Sequence, residues 1–172
     1  MADPVTVVDY DQNWPTQFER LKDRAARAIS EFVLRIEHVG STAVPGLAAK
    51  PIIDLIIQLD NAAQLATVIQ RLEVLGYRHE GDLGVPGREA FAVPAGESRH
   101  HLYVCLPGCS QLANQLAFRD YLRAHETARA EYAALKRQLA EEHRNDRAAY
   151  TEGKADFVAN VLARTWPQPK AQ

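Results

Sequence analysis

No proline falls between residues 113 and 164, although the chain of 172 residues contains nine. Inside a helix, proline removes a hydrogen bond and clashes with the preceding turn. This stretch, rich in Ala, Leu, Arg and Glu, therefore reads as helix throughout. Residues 1–112 instead alternate short β-branched runs with turns marked by glycine and proline, the pattern of an α/β core. The expected plan is an α/β core over 1–112, a helical hairpin or bundle over 113–166 packed on that core, and a flexible tail over 167–172.

Within the core, Pro15 suits the first turn of a helix that runs to about Ser30 and turns Phe18, Leu21, Ala25 and Ile29 inward. The spacing of Leu65, Val68, Ile69, Leu72 and Leu75 predicts a second helix over 62–75, stopped by Gly76. Strands are expected over 34–39, 51–59, 77–79, 89–93 and 100–106, with 5–10 as a short strand or extended arm. Leu55, Ile57, Leu102 and Val104 alternate onto shared faces. That alternation predicts an α+β fold: a mixed, mostly antiparallel sheet with helices on one face, followed by the helical part.

The formal net charge is −2, so nucleic acid is not an expected partner of this chain as a whole. There is no run of 18 apolar residues, and no membrane span is expected. Asp3 and Asp9 break the pattern of a secretory signal, and a cytoplasmic location is expected. Cys105 and Cys109 are the only cysteines, too few for a disulfide scaffold. They lack a Cys-x-x-Cys knuckle, so no structural zinc is expected and both should be reduced.

The chemistry-bearing residues concentrate between Glu37 and Asp54. A strand delivers His38, and Gly40, Ser41 and Thr42 then turn the chain. Their N–H groups and hydroxyls suit an anion such as phosphate. Lys50 adds a positive charge just before the next strand. Asp54 stands in the most apolar segment of the chain, where a carboxylate costs several kcal/mol unless it is bonded, paired or bound to metal. Two readings follow: Asp54 either ties down the Gly-Ser turn or serves a ligand. By alternation His101 shares its face if both strands join one sheet, and the two would offer oxygen and nitrogen ligands to a divalent ion. In the helical part Lys136 and Lys154 each follow a tyrosine by four residues. They either snorkel to solvent or reach toward the same ligand. Arg119 is either one half of an exposed pair with Asp120 or a further ligand contact.

Residues 38–54, HVGSTAVPGLAAKPIID, closely resemble the defining segment of the GrpB-like family. The likeness continues through 99–104 (RHHLYV), 116–123 (LAFRDYLR), 131–136 (EYAALK) and 150–154 (YTEGK) with Phe157. Members occur as stand-alone bacterial proteins and as an accessory domain behind some bacterial dephospho-CoA kinases. The family is similar to nucleotidyltransferases of the polymerase-β type, whose Gly-Ser turn holds a triphosphate and whose carboxylates hold Mg²⁺ or Mn²⁺. The resemblance implies that Gly40 and Ser41 form the turn and that Asp54 is the first carboxylate, while Ile56 occupies the place of the second. It implies a nucleotide or phosphorylated small molecule as partner. Asp54 and His101 become the candidate catalytic and metal-binding pair. Gly40, Ser41, Thr42, Lys50, Arg119, Lys136 and Lys154 become the candidate ligand contacts. The implied activity is nucleotidyl transfer at an atypical site; the alternative is a non-catalytic phospho-ligand-binding or accessory domain.

Overall fold

In the computed structural model, residues 4–165 are described; Trp166 and the expected tail at 167–172 lie outside them. Helix α1 (Trp14–Ile29) begins with Pro15 in its first turn and buries Trp14, Phe18, Leu21, Ala25 and Ile29 along one stripe. Strands β1 (Val33–Val39) and β2 (Ile53–Leu59) follow, then α2 (Leu65–Val74), entered through a short 3₁₀ turn over Ala62–Gln64. Gly76 adopts φ +91° just past α2, as a helix-ending glycine does. Strands β3 (Arg78–Gly81), β4 (Arg88–Ala92) and β5 (His100–Cys105) complete the sheet.

The strand order is β1-β2-β5-β4-β3. Only β2 and β5 run parallel; the other three pairings are antiparallel. The expected arm near the N-terminus makes a single bridge, Val8 with Ala49, rather than a strand. One sheet face carries Ile57, Leu59, Leu102, Val104 and Phe91 against Ala25 and Ile29 of α1 and Val68 and Leu72 of α2. Further along it, Ile53 and Leu55 meet Trp14, Phe18 and Leu21.

The proline-free stretch forms helices α3 (Ser110–Ala124), α4 (Glu126–Glu142), α5 (Arg147–Glu152) and α6 (Ala155–Thr165). The expected helical hairpin is α5 with α6; two longer helices precede it. On the second sheet face Leu112 and Leu116 of α3 cover Ile56 and Cys105, so Ile56 is buried beneath α3. Beside that contact the same face opens into a cleft. None of the described helices is long and apolar enough to cross a membrane.

Candidate functional site

The site starts at the end of β1. Val39 pairs with Asp54 across the antiparallel β1–β2 ladder, and the chain then turns at Gly40 with φ +71°. A Cβ built on Gly40 would lie 2.2 Å from Asp54 Oδ2. Glycine is thus required twice, for its backbone conformation and for the approach of the carboxylate. Residues Ser41–Ala43 make a 3₁₀ turn. The Thr42 hydroxyl is buried; it donates to the Ile52 carbonyl at 3.2 Å and accepts from His38 Nε2 at 3.0 Å. His38 stacks on Phe18 with ring centroids 4.6 Å apart, and burial pushes its pKa down to about 4. His38 and the Thr42 side chain therefore brace the turn, and Ser41 presents the turn's side-chain hydroxyl to the cleft.

The parallel β2–β5 pairing sets Asp54 directly beside His101. His101 Nδ1 lies 2.6 Å from Asp54 Oδ1. A carboxylate accepts, so Nδ1 carries the proton, and in the neutral ring Nε2 is then the nitrogen with a lone pair for a reacting group. This is the arrangement by which a carboxylate fixes an imidazole base in one tautomer.

The cleft above this pair encloses about 720 Å³. Its floor is Gly40, Ser41, Lys50, Asp54 and His101; α3, α4 and the α5–α6 hairpin supply the walls, including Lys136 and Lys154. Lys136 is 2% exposed. Its Nζ donates to Ser41 Oγ at 2.9 Å and to the Ala48 carbonyl. It also lies 4.7 Å from the centre of the Tyr132 ring. Lys154 and Lys50 share the ring of Tyr150, at 4.3 and 5.1 Å from its centre. Aromatic faces hold ammonium groups that have lost part of their water. Burial first, then the neighbouring cations, pushes Lys136 down to about 7. Lys154 is lowered to about 8 by burial and by Lys50, and burial lowers Lys50 as well. Three lysines thus crowd one cleft beside a Gly-Ser turn, and charge on each raises the cost of charge on the others.

Of the residues expected at the site, Gly40, Ser41, Thr42, Lys50, Asp54, His101, Lys136 and Lys154 all line this one cleft. Arg119 does not. Its guanidinium bonds Glu37 and the His38 carbonyl, both at 2.9 Å, and pairs with Asp120, which fastens α3 to β1. No spacing or composition signal pointed to Gln111, Asn114 and Gln115, which belong to the α3 wall; polar residues on a helix are ordinarily solvent-facing. The Gln111 Oε1 atom is buried there without a protein partner.

A resident divalent ion does not fit these donors. Ile56 is 1% exposed where a second carboxylate would be needed. Asp54 spends Oδ1 on His101 and packs Oδ2 against Gly40. Among the described residues no group of three or more His, Cys, Asp or Glu side chains is placed to hold a metal, whereas Mg²⁺ takes oxygen ligands in octahedral geometry. Cys105 and Cys109 are free thiols with sulfurs 3.1 Å apart. Burial pushes Cys105 up to about 12, as for an inert core thiol.

Residues 4–164 match the family model described as GrpB protein. The chain is 33% identical over 164 residues to the UPF0157 protein YqkA of Bacillus subtilis, which covers 94% of this chain and 48% of the relative. The chain therefore spans about half the length of that relative. Among solved structures, a conserved protein GrpB from Enterococcus faecalis superposes with a TM-score of 0.85 at 30% identity, covering 93% of this chain and 96% of that one. A more distant likeness is to the Cid1 poly(U) polymerase, with a TM-score of 0.55 at 14% identity over 78% of this chain and 44% of that one. This second likeness is one of fold.

Proposed function

The chain belongs to the GrpB family, and on that footing we propose that its cleft binds a nucleotide or other phosphorylated small molecule through Ser41, Lys50, Lys136 and Lys154. One observation carries the reading: three lysines with depressed pKa values converge on a Gly-Ser turn inside a cleft of nucleotide size. An anionic ligand relieves their mutual repulsion, which is the source of its affinity. Where paired carboxylates hold Mg²⁺ or Mn²⁺ to neutralise a triphosphate, here the lysines carry the neutralising charge.

The reaction this arrangement supports is transfer of a nucleotidyl or phosphoryl group to a hydroxyl. His101, oriented by Asp54, takes the hydroxyl proton on Nε2; the lysines stabilise the charge that develops on the phosphate oxygens. Burial of Ile56 where a second carboxylate would stand favours a second reading, that the cleft binds its ligand without turning it over.

Calorimetric titration of the wild-type chain and of Lys50→Ala and Lys154→Ala with a panel of nucleotides and phosphorylated metabolites tests the proposal. Each substitution should weaken binding by about 1.5–3 kcal/mol, the scale of a charge-assisted hydrogen bond. Chelation of divalent ions should leave the affinity unchanged. Equal affinity in the wild type and both variants across the panel would overturn the phosphate site. Binding without turnover for any ligand with a hydroxyl acceptor would select the second reading.

A further inference from the structure

Two helix faces that line the main cleft carry no charge. On α3, Gln111, Asn114, Gln115 and Phe118 stand at i, i+3, i+4 and i+7, which is one side of a helix. On α6, Ala155, Val158, Ala159 and Leu162 repeat that spacing. The two helices meet where the Phe118 ring lies edge-on to Phe157, with centroids 6.5 Å apart. The α3 face thus offers three amides, and the α6 face is apolar throughout. Because α6 starts directly after Lys154, Ala159 stands about 7.5 Å along the helix from that lysine. Both Ala155 and Ala159 are exposed.

Two polar atoms on the cleft wall are buried without a protein partner: Gln111 Oε1, an acceptor, and Arg88 Nε, a donor. They belong to adjoining segments, since a Cβ on Gly87 would lie 3.6 Å from Cys109 Cβ at the start of α3. The rest of the Arg88 guanidinium is engaged. Its Nη2 donates to the Asp82 carbonyl at 3.1 Å, and its centre lies 4.7 Å from the middle of the Tyr103 ring.

We propose that these two faces form a nucleobase subsite, with the base flat against α6 and its edge toward Gln111 and Arg88, so that the ligand is a nucleotide and not another phosphorylated small molecule. The inference rests on the reading of the lysines and the Gly-Ser turn as a phosphate site. The walls discriminate among phosphorylated ligands. A lipid tail would cover the α6 face but leave the amides without partners, and an unmet buried polar group is costly. A sugar or polyol carries hydroxyls on all sides, and those turned toward α6 would lose water without replacement. A base is apolar on its faces and polar at its edge, where donors and acceptors stand side by side. Such an edge offers a donor to Gln111 Oε1 and an acceptor to Arg88 Nε. The Gln111 amide turns about its last side-chain bond at little cost, which brings its oxygen to the cleft.

Calorimetric titration of the full chain with tripolyphosphate and with ATP, GTP, CTP and UTP tests this. Tripolyphosphate supplies the anionic groups without a base, so at least one nucleotide should bind about tenfold more tightly than it or better. Ala159→Leu fills the space over α6 from an exposed position, and Gln111→Leu removes an amide. Each should weaken that nucleotide about tenfold and change tripolyphosphate affinity less than about threefold. Lys154→Ala should weaken both ligands. Tripolyphosphate binding as tightly as all four nucleotides would overturn the subsite and leave the phosphate site standing, as would nucleotide affinity that both wall substitutions leave intact. Nucleotide binding that Ala159→Leu and Gln111→Leu weaken but Lys154→Ala does not would keep the subsite and overturn the phosphate site. If neither the nucleotides nor tripolyphosphate bind, both fall.

Discussion

At Lys136, burial and the ammonium groups of Lys154 and Lys50 hold the pKa near 7, and two opposite pH dependences follow. A bound dianion favours the charged amine, so binding takes up protons wherever the free site has lost them. Affinity for sulfate, whose own charge is constant over this range, should fall as pH rises from about 6 to 9, through the values near 7 for Lys136 and near 8 for Lys154. Stability of the ligand-free chain should move the other way. An unfolded lysine titrates near 10.5, so between about 7 and 10.5 the unfolded chain binds more protons than the folded one, and stability rises with pH across that window. Below about pH 7 the buried charge is at its full cost. Sulfate titrations and chemical denaturation at a series of pH values check both slopes. In the Lys136→Met variant both should flatten; an unchanged stability slope would show that Lys136 is not the group responsible.

The α5–α6 hairpin depends on Gly153. A Cβ there would lie 2.6 Å from Leu139 Cδ2 of α4, so the absence of a side chain lets the hairpin settle on α4. That seat buries Tyr150 beside Leu139 and Val5, and through Tyr150 it places Lys50 and Lys154. Gly153→Ala should cost about 1–2 kcal/mol through overpacking, a fall in Tm of roughly 2–8 °C for a chain of this size. It should also weaken nucleotide binding, because Lys154 moves with the hairpin. Thermal melts and the same titrations check this; a lower Tm with undiminished binding would mean that Leu139 yields instead. Much of this level was legible in the sequence. Strand β2 announced itself by β-branched alternation, and the Tyr-to-Lys spacing of four put each lysine on the helix face of its tyrosine. The break between α3 and α4 was not legible, since neither glycine nor proline marks it. His125 makes it, with its backbone N–H and its ring Nδ1 both bonded to the Tyr121 carbonyl and its ring stacked on Tyr121. The tie of Arg119 to β1 was hidden for a related reason: its partner Glu37 is 82 residues away, and short-range spacing carries no trace of such a pair.

For the whole molecule, the parts on either side of residue 112 share one core. Val44, Leu47 and Ala48 from the loop after β1 pack with Leu122 of α3 and Ala128, Tyr132 and Ala133 of α4. The N-terminal arm crosses between them, with Val5 N–H bonded to the Arg144 carbonyl and Val8 paired with Ala49. Neither part can lose its structure without uncovering apolar surface of the other. Calorimetry should therefore record one unfolding transition, with equal calorimetric and van't Hoff enthalpies; two resolved transitions would show residues 1–112 and 113–166 to unfold as independent units. The parallel pairing of β2 with β5 has a further consequence, for the order in which the protein comes into being. Asp54 must wait for His101, 47 residues later, and Ser41 for Lys136, 95 residues later. Contacts of such long range close large loops before any stabilisation is gained, and folding governed by them is slow. A chain emerging from the ribosome holds β1, the turn and β2 long before it owns a site. The anion site proposed above is therefore assembled only after Lys136 and Lys154 have been made, and binding there would report that the two ends of the fold have closed on each other.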